Sequence, residues 1–398
     1  MINEKYYFYG SNRSTIRDLF EYGSQRKAVV GAENVYDYSL GNPSVPAPEE
    51  VKTAIIDILN ERDPIDVHGY TSAVGDFGAR KAVADDLNSR FGTSYEAGEL
   101  YLTCGAAASL ISVFRALCAN GKSELIAIAP YFPEYKCFAE SNGLTFKCVS
   151  ADREHFQINF DELENMITEN TQAVIINSPN NPSGTVYSED TVKKLGALLE
   201  KKSAEFSHPV YLISDEPYRE LNFTSVPTPF TAKFYKNTIV CYSYSKSLSL
   251  PGERIGYVLV PKEADDSARL YAAVAGAARC SGFVCAPSLF QRVIEKCASV
   301  RPDIEAYRKN RDYLYKSLTD IGYKCASPDG AFYMFIEAPD GDDNAFSEIC
   351  KKYDLFLVPA DSFGCPGYVR ASYCVSYDMI VRSIPAFKKA YEDAVKAK

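Results

Sequence analysis

The 398-residue sequence predicts an α/β protein, with a mostly parallel, doubly wound sheet in a large domain over residues 48–288. A small α+β domain is expected from residues 1–47, which include an N-terminal arm, together with residues 289–398. Three observations predict this division. From residue 100 to residue 258, apolar runs of strand length alternate with helical periodicity, the order that builds parallel sheets. Each run stops abruptly in polar or turn residues, at the edge where open α/β sheets place their ligands. From Pro287 onward the pattern changes to long helical stretches followed by short strands.

In chain order, residues 1–35 are polar, with Ile16, Leu19 and Phe20 at helical spacing, and read as an arm that packs on another part of the structure. Val35 to Leu40 is a short strand broken at Gly41-Asn42-Pro43. Val51, Ala54, Ile55, Ile58 and Leu59 mark a helix opened by Pro48 and two glutamates, which suit a helix start. His68 to Gly75 leads into a second helical pattern from Phe77 to Leu87. Leu100–Thr103 reads as a strand, and the small residues Cys104 to Ser109 join it to a helical run over Leu110–Leu117. A strand–glycine–helix junction of this kind exposes backbone N–H groups to an anion. The next strands run from Glu124 to Ala129, Ala173 to Ile176 and Val210 to Ile213, and a further apolar run ends at Ile239-Val240. They lead into Pro130-Tyr131-Phe132, Asn177-Ser178-Pro179-Asn180-Asn181-Pro182, Asp215-Glu216-Pro217-Tyr218 and Ser243-Tyr244-Ser245-Lys246 respectively. Ala129-Pro130 and Asn181-Pro182 are candidates for cis peptides. Helical stretches over Leu289–Ile321, broken near Pro302, precede an alternating strand at 330–337, strands at 355–360 and 368–373, and a helical tail carrying Ile380, Ile384, Phe387 and Tyr391.

Two stretches carry the chemistry. Ser243-x-Ser245-Lys246 is followed eight residues on by Arg254, and an apolar strand ends in Asn177-Ser178-Pro179-Asn180-Asn181-Pro182-Ser183-Gly184. Together they resemble the pyridoxal-phosphate-dependent aminotransferases of fold type I, the aspartate-aminotransferase-like class I/II group, and the resemblance extends from Gly41 to Arg370. It implies that Lys246 carries pyridoxal 5'-phosphate as a Schiff base and then works as general acid and base at the substrate Cα. By the same resemblance Asp215 keeps the ring nitrogen protonated, and Asn181 and Tyr218 hydrogen-bond the phenolic oxygen. Phe132 stacks on the ring. Ser243, Ser245, Arg254, Gly105 and the N–H groups of Ala106 and Ala107 hold the phosphate. Tyr70 is implied to reach a partner subunit's phosphate, Gly41 and Asn181 to line the substrate pocket, and Arg370, in Val-Arg-x-Ser, to grip the α-carboxylate through two parallel donors.

The implied reaction is transamination between an L-amino acid and a 2-oxo acid, with 2-oxoglutarate as acceptor and aspartate or another common amino acid as donor. A Cβ–S lyase on the same scaffold is the alternative. Some relatives read a distal carboxylate with a partner-subunit arginine about 26 residues after the phosphate arginine; here Arg279 follows Arg254 by 25. Others use a lysine just after the Gly105 position, where this chain has Ala106. A homodimer is implied, because the family builds its site at a subunit interface.

Composition agrees with a small-molecule enzyme. A formal charge of −9 argues against nucleic acid or an anionic membrane as partner. It also argues, with the short polar stretch before the first motif, against a regulatory domain fused to a DNA-binding module. Twelve cysteines without a CxxC pair and only three histidines predict no metal site. No secretion signal and no membrane span are expected, and reduced thiols suit the cytoplasm.

Overall fold

A computed structural model describes residues 1–12 and 14–397. Its strands are β1 (Tyr36–Asp37), β2 (Leu100–Thr103), β3 (Glu124–Ile128), β4 (Thr145–Val149), β5 (Thr171–Asn177), β6 (Tyr211–Asp215), β7 (Thr238–Ser243), β8 (Gly256–Leu259), β9 (Tyr333–Glu337), β10 (Leu355–Phe356), β11 (Val358–Pro359) and β12 (Tyr368–Ser372). Seven of them form one sheet in the order β2-β8-β7-β6-β5-β3-β4. All its pairings are parallel except those of β8, which runs antiparallel to both neighbours.

Both faces of this sheet are covered, which is why its strands read as continuous apolar runs. In β5, Ala173 and Ile175 pack with Val113 and Phe114 of the helix Ala106–Leu117. Val174 and Ile176 point the other way, toward Leu195 and Leu199 of the helix Glu189–Phe206. A second core lies where β11, β12 and β9 form an antiparallel sheet. There Met334, Ile336 and Val369 pack against Leu314 and Leu318 of the helix Glu305–Ile321 and Phe387 of the helix Tyr377–Ala397.

Several sequence expectations change in detail. The arm is two helices, Glu4–Ser11 and Thr15–Val30. Leu19 of the second packs into a cluster with Phe335 and Phe363, whereas the first buries no residue and leans on Glu140 through Tyr9 Oη at 2.7 Å. The break near Pro302 separates the helices Ser288–Cys297 and Glu305–Ile321. Residues 355–360 are not one strand. They divide into β10, paired in parallel with β1, and β11, paired with β12, because Leu357 lies between segments that serve different sheets. Ala129–Pro130 and Asn181–Pro182 are cis, and so is Ser178–Pro179.

Candidate active site

The parallel strands end along one edge, and the segments that follow them meet there in a cavity of about 280 Å³. Lys246, Asp215, Tyr218, Asn181, Phe132, Ser243, Ser245, Ala106, Ala107, Arg254, Gly41 and Arg370 all line it. The antiparallel strand β8 is what brings in Arg254. Its first residue, Gly256, stands opposite both Ser243 at the end of β7 and Thr103 at the end of β2. The residues just before Gly256 therefore lie over the same edge as the residues that follow β7 and β2.

Close backbone approach builds this corner. A Cβ on Gly256 would stand 2.3 Å from Tyr242 O and 3.1 Å from Gly105 Cα. Gly105 itself has φ +80°, and a Cβ there would sit 2.8 Å from Arg254 Nη2. The guanidinium thus lies directly over the turn that opens the helix Ala106–Leu117, whose first N–H groups have no partner within the helix. Arg254 Nη1 donates to Pro251 O at 3.0 Å and approaches Ser245 Oγ at 3.5 Å. Ser243 Oγ donates to Ser245 Oγ at 2.8 Å. Backbone donors, two hydroxyls and a guanidinium converging on one point suit a phosphate.

Lys246 lies in the one-turn helix Tyr244–Ser247, and its Nζ donates to Gly41 O at 2.6 Å. Burial lowers its pKa to about 8, helped by the positive charges of Arg370 and Arg254 and opposed by Cys374. About a tenth of the amine is therefore free at pH 7, far more than for an ordinary lysine, and a nucleophile requires the free form. Across the cavity, Asp215 is buried at the end of β6, and burial raises its pKa to about 7 against the lowering effect of a hydrogen bond from Tyr135 Oη. That bond occupies Oδ2, and Oδ1 has no hydrogen-bond partner. Asn177 ties the two neighbouring strand ends together. Its Nδ2 donates to Asp215 O at 2.8 Å, and its Oδ1 accepts from Asn181 N at 2.8 Å.

Arg370, in β12, crosses from the second core into the cavity and is 2% exposed. Its Nη1 donates to Asn181 Oδ1 at 3.0 Å, its Nη2 donates to Ser39 O, and its Nε has no partner. Burial without an acidic partner lowers its pKa. A buried guanidinium with an unused donor suits a carboxylate.

Tyr70 and Arg279 stand elsewhere. Tyr70 is 99% exposed after the helix Pro64–His68, and Arg279 is exposed in the last turn of the helix Ser267–Cys280; neither lines the cavity. Sequence reasoning assigned no role to Tyr135, Asn177 or Tyr333. Asn177 opens a strand-end segment already singled out and Tyr135 lies three residues beyond Phe132 of another, in the helix Glu134–Ser141, so position was the available signal. Tyr333, in an alternating apolar strand, carried none. Among the described residues no cluster of His, Cys, Asp or Glu could hold a metal ion, and no helix is long and apolar enough to cross a membrane.

The sequence model of the family described as aminotransferase class I and II matches residues 32–384. A probable aspartate/prephenate aminotransferase of Aquifex aeolicus is 29% identical over 383 residues, covering 90% of this chain and 92% of its own. Among solved structures, an aminotransferase from Eubacterium rectale is 58% identical with a TM-score of 0.97 over 99% of both chains. The aspartate aminotransferase of Thermus thermophilus, solved with maleate, is 25% identical with a TM-score of 0.86, covering 98% of this chain and 99% of its own. With its sequence matched over residues 32–384 and its fold shared with these enzymes, the chain belongs to the class I and II aminotransferases, which depend on pyridoxal 5'-phosphate.

Proposed function

We infer that this enzyme moves the amino group of an L-amino acid, aspartate or another common one, to a 2-oxo acid, with 2-oxoglutarate as acceptor. The observation that carries the assignment of residues is Asp215 Oδ1, buried and unpartnered in the cavity that also holds the Lys246 amine. A lone carboxylate oxygen in such a place calls for a cation, and a protonated ring nitrogen is one. The residues present therefore fit the cofactor: Asp215 for the ring nitrogen, Asn181 and Tyr218 for the phenolic oxygen, and Phe132 for the ring face. Gly105, Ala106, Ala107, Ser243, Ser245 and Arg254 would take the phosphate.

Bound pyridoxal 5'-phosphate supplies an electron sink for the pair released when the substrate Cα–H bond breaks. Lys246 would hold the cofactor, and its amine, when free, would take the proton at the substrate Cα. Asp215 keeps a proton on the ring nitrogen, and this role agrees with the depth at which it is buried. Arg370 orients the substrate through its α-carboxylate, beside the Gly41 backbone. A second copy of the chain would bring Tyr70 to the phosphate and Arg279 to an acidic side chain; the full exposure of Tyr70 supports this reading. The relatives named for aspartate support the choice of donor. The cysteines, all free thiols among the described residues, support a reducing, cytoplasmic setting.

The test is a half-reaction with single L-amino acids and no acceptor. The bound cofactor's absorbance should bleach with one equivalent of 2-oxo acid released, return on adding 2-oxoglutarate, and be lost altogether in Lys246→Ala. Continuous ammonia release without an acceptor would make the enzyme a lyase instead.

A further inference from the structure

Tyr333 has no part in the reading above, yet it touches three of the groups that do. Its hydroxyl lies 2.7 Å from the Tyr218 hydroxyl, and both side chains are buried. Its ring lies under the Arg370 guanidinium, 4.7 Å from ring centroid to Cζ. Its hydroxyl also fills the space beside Gly41, where a Cβ would stand 2.3 Å away. Gly41 is the residue whose carbonyl accepts from Lys246.

The direction of the proton between the two tyrosines follows from their surroundings. Arg370 lies over the Tyr333 ring and favours negative charge on the oxygens of both tyrosines. Burial raises both phenols. Arg370 works against that rise at both. Each hydroxyl has one proton to give, so when the Tyr218 proton goes to the cofactor's phenolic oxygen, the 2.7 Å contact is filled by the Tyr333 proton, pointing at Tyr218.

We propose that Tyr333 is a positioning residue, whose hydroxyl donates to the Tyr218 hydroxyl and so commits the Tyr218 proton to the cofactor's phenolic oxygen. The proposal rests on the role given to Tyr218 above. A tyrosine that already accepts one hydrogen bond is a stronger donor of the next, because chained hydrogen bonds polarise one another. Without the Tyr333 hydroxyl, Tyr218 is free to turn its proton away from the cofactor.

The experiment is a spectrophotometric pH titration of the bound cofactor in wild type, Tyr333→Phe, Tyr218→Phe and the double variant, each loaded with pyridoxal 5'-phosphate. Loss of one hydrogen bond's worth of support for the ionised phenolic oxygen should raise the midpoint by roughly half to one pH unit in Tyr333→Phe. The double variant should titrate with Tyr218→Phe, since Tyr333 acts through Tyr218. 3-Fluorotyrosine in place of Tyr333 is nearly isosteric and more acidic, so it should lower the midpoint; this keeps the proposal testable if Tyr333→Phe does not fold. A wild-type midpoint that neither replacement moves, or single-variant shifts that simply add in the double variant, would overturn the proposal alone. A wild-type enzyme whose bound cofactor shows no Schiff-base absorbance, or a midpoint that Tyr218→Phe leaves unmoved, would instead overturn the roles of Lys246 or Tyr218 on which the proposal rests.

Discussion

Asp215 and Lys246 are opposite cases of one cost, an ionisable group held away from water. Burial pushes the Asp215 carboxyl up to about 7, so the folded, cofactor-free protein keeps a proton that the unfolded chain has already lost. Between the ordinary carboxylate value and about pH 7 the native state therefore binds more protons, and stability falls as pH rises through that window. For Lys246, pushed down to about 8, the unfolded chain holds the extra proton, and stability rises from about pH 8 toward the ordinary lysine value. Urea melts of cofactor-free wild type and Asp215→Asn between pH 4.5 and 7.5 check the first case. The wild type should lose on the order of 2–4 kcal/mol more across that range than the variant. Parallel pH dependences in the two proteins would refute it. Loading with the cofactor should flatten the wild-type curve, because a cation beside Oδ1 lets Asp215 ionise in the folded state.

The elements matter through where they stop. Five segments with no sequence likeness to one another, those after β2, β3, β5, β6 and β7, meet because parallel strands end on one edge. Arg254 joins them from the opposite chain direction because β8 is antiparallel. Gly105 is where that arrangement is tightest. An alanine there would have to adopt φ +80° and place its Cβ 2.8 Å from Arg254 Nη2. The strained backbone costs about 1–3 kcal/mol, and the guanidinium must move off the helix start. Gly105→Ala should therefore fold but bind pyridoxal 5'-phosphate at least about tenfold more weakly, since each 1.4 kcal/mol is a factor of ten. Titration of the cofactor-free variant measures this, and an unchanged dissociation constant would count against the phosphate cradle.

For the whole molecule, the exposed Tyr70 makes assembly the question. A homodimer that shares its sites should lose cofactor on dilution below its dissociation constant, in step with a shift to monomer in analytical ultracentrifugation. A monomer that keeps full activity would remove any role for Tyr70 and Arg279. Most strands were legible because both sheet faces are covered, so runs such as Ala173–Ile176 are apolar throughout and end sharply in polar residues. The lysine, asparagine, aspartate and arginine that line the cavity were singled out through the family resemblance of the segments after those ends. Residues 355–360 misread as one strand because two-residue strands have no period of their own, and only their partners, β1 and β12, separate them. Tyr135 and Tyr333 looked like two tyrosines among 29, since a hydroxyl's partner is set by packing and not by neighbours in sequence. The order of strands and helices and the residue types at each strand end were thus determined by local pattern, which acts over a few residues. Which groups are left without partners, Asp215 Oδ1 and Arg370 Nε above all, was decided only when distant segments closed around them, because desolvation is a property of the packed interior.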